Sequence, residues 1–232
     1  MRVLITGAAG NIGSTLAKGM REQHELRGLD CVEMPDLEDG IIGDVADFDT
    51  VLKATREMDA VIHLANVAGG DPWEDSLKSM VGTYNIFEAA LKNGVRRVAY
   101  ASRAGLLPRS FYPRTIQRTV DMPPKPESYY SISKVFGESM GYMYAARFDM
   151  EVVAVRIGNY KLDRDQPEDP HQLSHGDCVR LFEKAITHPG VKFEVVFGVS
   201  DSDWLLYDLE HGRKVIGYDP QDRSEVPEDE RE

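Results

Sequence analysis

The sequence predicts an α/β fold, a doubly wound parallel sheet with a small C-terminal substrate-binding cap. Three observations predict it. Short apolar runs alternate with longer helical patterns, the signature of successive βαβ units. Val152–Ile157 is a β-branched run of the kind that fills a parallel strand buried on both faces. A glycine-rich turn follows the first apolar run and opens the first helical pattern.

The elements follow in order. Val3–Ile5 reads as strand one, Asn11–Glu22 as the helix after it, and Glu25–Asp30 as strand two. Ile41–Ile42 makes a short third strand, Asp47–Arg56 a helix, and Ala60–Ala65 strand four. Pro72–Asn93 is a long helix, with Pro72 near its start and Gly94 just past its end, as capping asymmetry predicts. Val95–Ser102 is strand five, and Pro108–Pro126, rich in proline and arginine, reads as loop. Glu127–Phe148 is a second long helix and Val152–Ile157 strand six. Beyond Gly158 the pattern weakens. A loop marked by Pro167 and Pro170 leads to a helix over Gly176–His188, a strand over Phe193–Phe197 and a helix over Asp203–Ile216. Residues 1–157 are expected to form the cofactor domain, and residues 158–232 a smaller substrate-binding portion packed on the same sheet.

Composition narrows the class. The chain of 232 residues is 42% hydrophobic and 28% charged, as in ordinary soluble globular proteins. It has no uninterrupted apolar stretch of membrane-spanning length. Met1–Gly7 is too short an apolar run for a secretory signal. A net charge of −12 argues against nucleic-acid or anionic-membrane partners, which call for basic patches. The acidic residues clustered after Tyr218 are expected in a solvated, frayed terminus. Cys31 and Cys178 lie far apart without metal-type spacing and read as reduced thiols of a cytoplasmic protein. The histidines show no ligand spacing either, so no metal is expected.

Gly7-Ala8-Ala9-Gly10-Asn11-Ile12-Gly13 sits between an apolar strand and a helix, the context that gives a glycine triplet meaning. Gly7 permits the tight turn, Gly10 the approach of a pyrophosphate, and Gly13 close packing of helix on sheet. The N–H groups of Asn11 and Ile12 open the helix, where phosphates are held. Asp30 ends strand two, placed to accept hydrogen bonds from ribose hydroxyls and to repel a 2′-phosphate. The expected cofactor is NAD on a Rossmann fold.

The glycine spacing, Asp44-Val45, His63-Leu64-Ala65 and Tyr130-Ser131-Ile132-Ser133-Lys134 resemble the extended short-chain dehydrogenase/reductases, the NAD-dependent epimerase/dehydratase family. Phe111-Tyr112-Pro113-Arg114, Leu173-Ser174-His175-Gly176-Asp177 and Ile216–Asp222 look most like its uronate dehydrogenase-like sugar dehydrogenases. The resemblance implies that Asp44 and Val45 border the adenine, that Leu64, Ala65 and Asn66 line the cofactor, and that Ile157 and Asn159 flank its nicotinamide end. It also implies a homodimer in which the two long helices pack as a four-helix bundle.

Tyr130 and Lys134 are spaced i, i+4 and share a helix face. A nearby ammonium favours the phenolate, which lets Tyr130 take a proton from a substrate hydroxyl. The family places a serine at the end of strand five to bond that hydroxyl. Here Arg103 aligns with it, and Ser102 is one residue early, facing the other side of an extended chain. Three outcomes follow: Ser102 shifts into place as the catalytic serine, Arg103 binds the substrate oxygen, or the chemistry is lost. Arg103, Arg109, Arg114 and Arg118 cluster before the Tyr–Lys helix and would favour a carboxylate or phosphate, with Arg103 and Arg114 as substrate contacts. Arg156 ends strand six and reads equally as a substrate contact or as the partner of a buried carboxylate. The resulting expectation is NAD-dependent oxidation of a CH–OH group on a small sugar or sugar acid, uronate- or sugar-phosphate-like. Alternatives are a nucleotide-sugar epimerase or dehydratase and a non-catalytic NAD-binding regulator.

Overall fold

The computed structural model describes residues 1–67, 72–228 and 231. Seven parallel strands form one sheet in the order β3-β2-β1-β4-β5-β6-β7. They are β1 Arg2–Thr6, β2 Glu25–Asp30, β3 Asp39–Ile42, β4 Ala60–His63, β5 Arg97–Arg103, β6 Glu151–Ile157 and β7 Phe193–Gly198. The helices are α1 Asn11–Met20, α2 Phe48–Ala54, α3 Trp73–Lys92, α4 Tyr129–Phe148, α5 His175–Thr187 and α6 Glu210–Ile216. The doubly wound fold is therefore present, and β7, from beyond residue 157, completes the same sheet.

The strands read as continuous apolar runs because both faces are covered. Val3 and Ile5 of β1 pack with α1 and α5 residues such as Leu16, Leu181 and Phe182. Leu4 between them points the other way, into a core that includes Val51, Ile86, Phe87 and Tyr144. The same alternation separates Val153 and Val155 from Val152 on β6. Strand order reverses between β1 and β4, so a crevice opens beyond their carboxyl ends, where ligands of such sheets bind.

Three stretches depart from expectation. The helix expected over Asp203–Ile216 forms only at Glu210–Ile216. Leu206, Tyr207 and Leu209 are buried, but the backbone here bonds residue 118 instead of itself: Arg118 N–H donates to the Leu206 carbonyl and Asp208 N–H to the Arg118 carbonyl, both at 2.9 Å. A tertiary contact replaces the helical ladder. A two-strand pair, β8 Asp201–Ser202 with β9 Arg223–Ser224, is too short to show a sequence period. The acidic stretch after Tyr218 is not frayed throughout. Asp219 pairs with Arg213 at 2.9 Å, Asp222 with Arg180 at 2.9 Å, and Val226 is buried. Its last acidic residues, Asp229, Glu230 and Glu232, lie outside the described residues. Among the described residues no helix is long and apolar enough to cross a membrane.

Candidate active site

The glycine turn joins β1 to α1 at the strand-order reversal. Gly7 has φ +69°, and a Cβ there would lie 2.8 Å from the Ala65 amide nitrogen. A Cβ on Gly13 would lie 2.3 Å from the Gly7 carbonyl oxygen, so α1 can start this close to the strand only with glycine. No side chain caps α1, and its first turn holds no acidic residue. The amides of Asn11, Ile12 and Gly13 therefore open the helix toward the cleft, at the positive end of the dipole. Asp30 is held against this turn: its carboxylate accepts from Ala9 N–H at 3.0 Å and from Val32 N–H at 3.3 Å. A pocket of about 260 Å³ runs from Gly7 and Asp30 past Asp44, Val45, Ala65 and Asn66. Asp44 there pairs with Lys78 at 2.5 Å.

Gly7 and Asn66 also line a neighbouring cleft of about 650 Å³, which holds Gly10, Asn11, Ile12, Gly13, Leu64, Arg103, Tyr130, Lys134, Ile157 and Asn159. Ser128 caps α4 by accepting from Ser131 N–H at 3.0 Å, which sets Tyr130 in the first turn beside the cleft. Lys134 follows one turn later, buried, its ammonium 5.3 Å from the centre of the Tyr130 ring. On the other side the Arg103 guanidinium lies 5.1 Å from that centre and donates to Ser131 Oγ at 3.2 Å. Burial pushes the Tyr130 phenol up, and the Arg103 charge opposes that shift. Burial, with repulsion from Arg103, brings the Lys134 ammonium down to about 8.

The chain matches the model of the NAD dependent epimerase/dehydratase family over residues 3–176. It is 36% identical to a uronate dehydrogenase of Pseudomonas syringae pv. tomato, the match covering 97% of this chain and 83% of that protein. It is 34% identical to an NAD-dependent glucose-6-phosphate dehydrogenase of Haloferax volcanii, over 96% of this chain and 94% of the other. A solved uronate dehydrogenase variant from Agrobacterium tumefaciens, complexed with NAD, superposes with TM-score 0.87 at 30% identity, over 96% of this chain and 85% of that one.

The chain belongs to the NAD-dependent epimerase/dehydratase family.

Its cofactor is NAD, and the residues present fit that group: an uncapped helix start for the diphosphate, a cradle that a Cβ would fill, and a carboxylate at the end of β2. As a family member it is an enzyme.

Three expected contacts sit elsewhere. β5 stays extended through Arg103, at φ −140° and ψ 141°, so consecutive side chains face opposite sides. Ser102 therefore turns toward α4, where its hydroxyl donates to Glu138 Oε1 at 2.6 Å. Ser102 borders the cleft, but its hydroxyl is committed to Glu138 and does not take the catalytic place. Arg156, its register partner on β6, meets the same carboxylate: Nε to Oε1 and Nη2 to Oε2, each at 2.9 Å. The buried-carboxylate reading of Arg156 is the one realised, not the substrate contact. Arg114 stacks on Trp204, 4.8 Å from guanidinium carbon to ring centre, and is not part of the cleft wall.

Tyr130, Lys134 and Glu138 share one helix face, so α4 presents its chemistry at the cleft and its structural anchor deeper in. His63 is structural as expected: buried, bonded to Thr6 and Thr83, and pushed down to about 3 by burial with Lys134 nearby.

Five polar cleft residues have no individual signal as contacts in the sequence: Arg109 and Arg118 belong to a charge cluster, His171 reads as a structural histidine, Tyr207 falls inside an expected helix, and Tyr160 stands apart from any motif. The place of Tyr160 directly after Asn159, just past β6, is the one usable hint.

Proposed function

We propose that this enzyme oxidises a CH–OH group of a small sugar or sugar acid, uronate- or sugar-phosphate-like, with Tyr130 as the general base. The observation that carries the reading is Tyr130 at the cleft between two cations, beside a glycine turn fit for NAD. When bound, NAD supplies the hydride acceptor. The rest falls to the chain. Asp30 bonds the ribose hydroxyls, Asp44 and Val45 border the adenine, and Ala65 and Asn66 line the way between the two pockets. Leu64, Ile157 and Asn159 wall the nicotinamide end and limit water. Tyr130 Oη takes the proton of the sugar hydroxyl, and the Lys134 and Arg103 charges favour the phenolate that receives it. The family resemblance puts Arg103 at the place of the serine expected to bond the sugar oxygen, and its guanidinium would donate in that role. Residues 158–232 contribute the substrate end of the cleft through His171 and Tyr207.

Initial rates of NADH formation across uronates, sugar phosphates and neutral monosaccharides test this. Turnover with at least one class, lost in Tyr130→Phe, is expected. Intact NAD binding without turnover on any class would refute it.

The same proposal includes a cytoplasmic homodimer. Cys31 and Cys178 are both free thiols. Trp73, Leu77, Val81 and Tyr84 expose one apolar face along α3, and Ile132 continues it on α4. Val81→Asp should convert a dimer to a monomer in light scattering. A wild type that is already monomeric overturns this part.

A further inference from the structure

Among the described residues, the charged ones lining the main cleft are Arg103, Arg109, Arg118 and Lys134, with no aspartate or glutamate beside them. In a chain of net charge −12 this is a strong local inversion. Arg103 and Lys134 serve Tyr130. Arg118 does not, and it is built in differently.

Arg118 is 1% exposed. Its Nε donates to the Leu107 carbonyl at 3.1 Å and its Nη2 to the Tyr112 carbonyl at 2.6 Å, while Tyr207 packs 5.6 Å from the guanidinium carbon. Its backbone is fixed on both sides by Leu206 and Asp208. The remaining nitrogen, Nη1, is buried and has no hydrogen-bond partner. Among the described residues no carboxylate pairs with Arg118, although 39 acidic residues are available in the chain. A buried guanidinium short of a partner is costly, and such an orphan signals a missing acceptor. Neither holding carbonyl neutralises the charge. His171, neutral or cationic, offers no counter-charge; burial, opposed by Asp169 and aided by the arginine charges, brings it down to about 4, and it is hydrogen-bonded to Tyr207 at 2.8 Å.

We propose that Arg118 is the specificity-determining residue of an oxyanion subsite at the substrate end of the cleft, receiving the carboxylate or phosphate of an acidic sugar through Nη1. The subsite rests on the reading that this cleft takes a sugar. A planar guanidinium pinned at two nitrogens offers its third in a fixed direction, which a mobile lysine could not do. Its charge is satisfied only when such a ligand is present.

The test compares wild type with Arg118→Gln and Arg118→Lys, using D-glucuronate, D-glucose 6-phosphate and neutral D-glucose. Two readouts are taken: NADH formation, and calorimetric binding to the NADH-loaded protein. In wild type the carboxylate or the phosphate arm should exceed the neutral one, and the stronger arm identifies the group. Arg118→Gln should shrink that preference roughly ten- to a hundredfold, mainly through KM, with NADH affinity retained. If Arg118→Gln fails to fold, Arg118→Lys is decisive: it keeps the charge and should still lose about tenfold of the preference. Equal losses on charged and neutral sugars, or an undiminished preference, overturn the subsite. If no sugar is oxidised yet calorimetry shows Arg118-dependent anion binding, the redox reading fails and the subsite stands. If neither anion binds wild type more tightly than glucose, the subsite fails.

Discussion

Replacing Ser102 by alanine separates a catalytic from an anchoring hydroxyl. In the structure this hydroxyl donates to Glu138 at 2.6 Å, and Glu138 is held at the same time by two Arg156 nitrogens at 2.9 Å. The Arg156 and Glu138 side chains are only 4% and 10% exposed, so water does not replace a lost donor readily. A hydrogen bond to a charged group contributes about 1.5–3 kcal/mol. The ion pair itself survives the substitution, so the larger loss of about 3–5 kcal/mol that follows breaking a buried pair is not reached. For a chain of this size each kcal/mol moves the melting point by about 2–4 °C, so Ser102→Ala should melt roughly 3–12 °C lower. A hydroxyl that bonded the reacting oxygen would behave differently, costing about 100- to 1000-fold in kcat when removed. Thermal unfolding followed by circular dichroism, with initial rates of NADH formation well below the new melting point, reads both quantities. The network assignment expects a lower melting point with kcat within a few-fold of wild type. An unchanged melting point with a hundredfold fall in kcat refutes it.

Other substitutions probe the cofactor turn and the base. Gly13→Ala places a methyl 2.3 Å from the Gly7 carbonyl oxygen and 2.6 Å from Ala8 Cα, both backbone, so the turn must open; a loss of about 1–3 kcal/mol in stability and weak NADH binding by fluorescence titration are expected. Arg103→Met removes the charge that opposes the upward push of burial on Tyr130, so the alkaline rise of kcat/KM should move to higher pH, whereas an unmoved profile denies Arg103 that role. Lys134 sits at about 8 in the fold against 10.5 as a free side chain, so between those values the unfolded chain binds more protons and wild-type stability from this group rises with pH. Lys134→Met should therefore be inactive yet more stable below pH 8, with the advantage shrinking toward pH 10.5; urea titrations across that range check the trend, and an advantage that widens with pH contradicts it.

The sequence by itself determined what depends on neighbours along the chain. The glycine turn, the carboxylate ending β2, the i, i+4 spacing of Tyr130 and Lys134, and the apolar periods that build β1, β4, β5 and β6 are local patterns. Each is readable because strand and helix geometry impose a fixed repeat on side-chain direction. Extended alternation even placed Ser102 on the far side of β5 from Arg103. Only the tertiary structure decided where buried charges find partners. Ser102 and Arg156 meet Glu138 across 36 and 18 residues of chain, and nothing in their immediate surroundings specifies that carboxylate. Arg114 and Arg118, four residues apart in one loop, diverge completely: one stacks on Trp204, the other is enclosed beneath Leu107, Tyr112 and Tyr207. Residues 203–209 gave up a helix because bonding residue 118 covered the same apolar side chains. Burying a charge is costly enough that its fate is set by which groups the folded chain brings within hydrogen-bonding distance, and that is a property of the assembled layers.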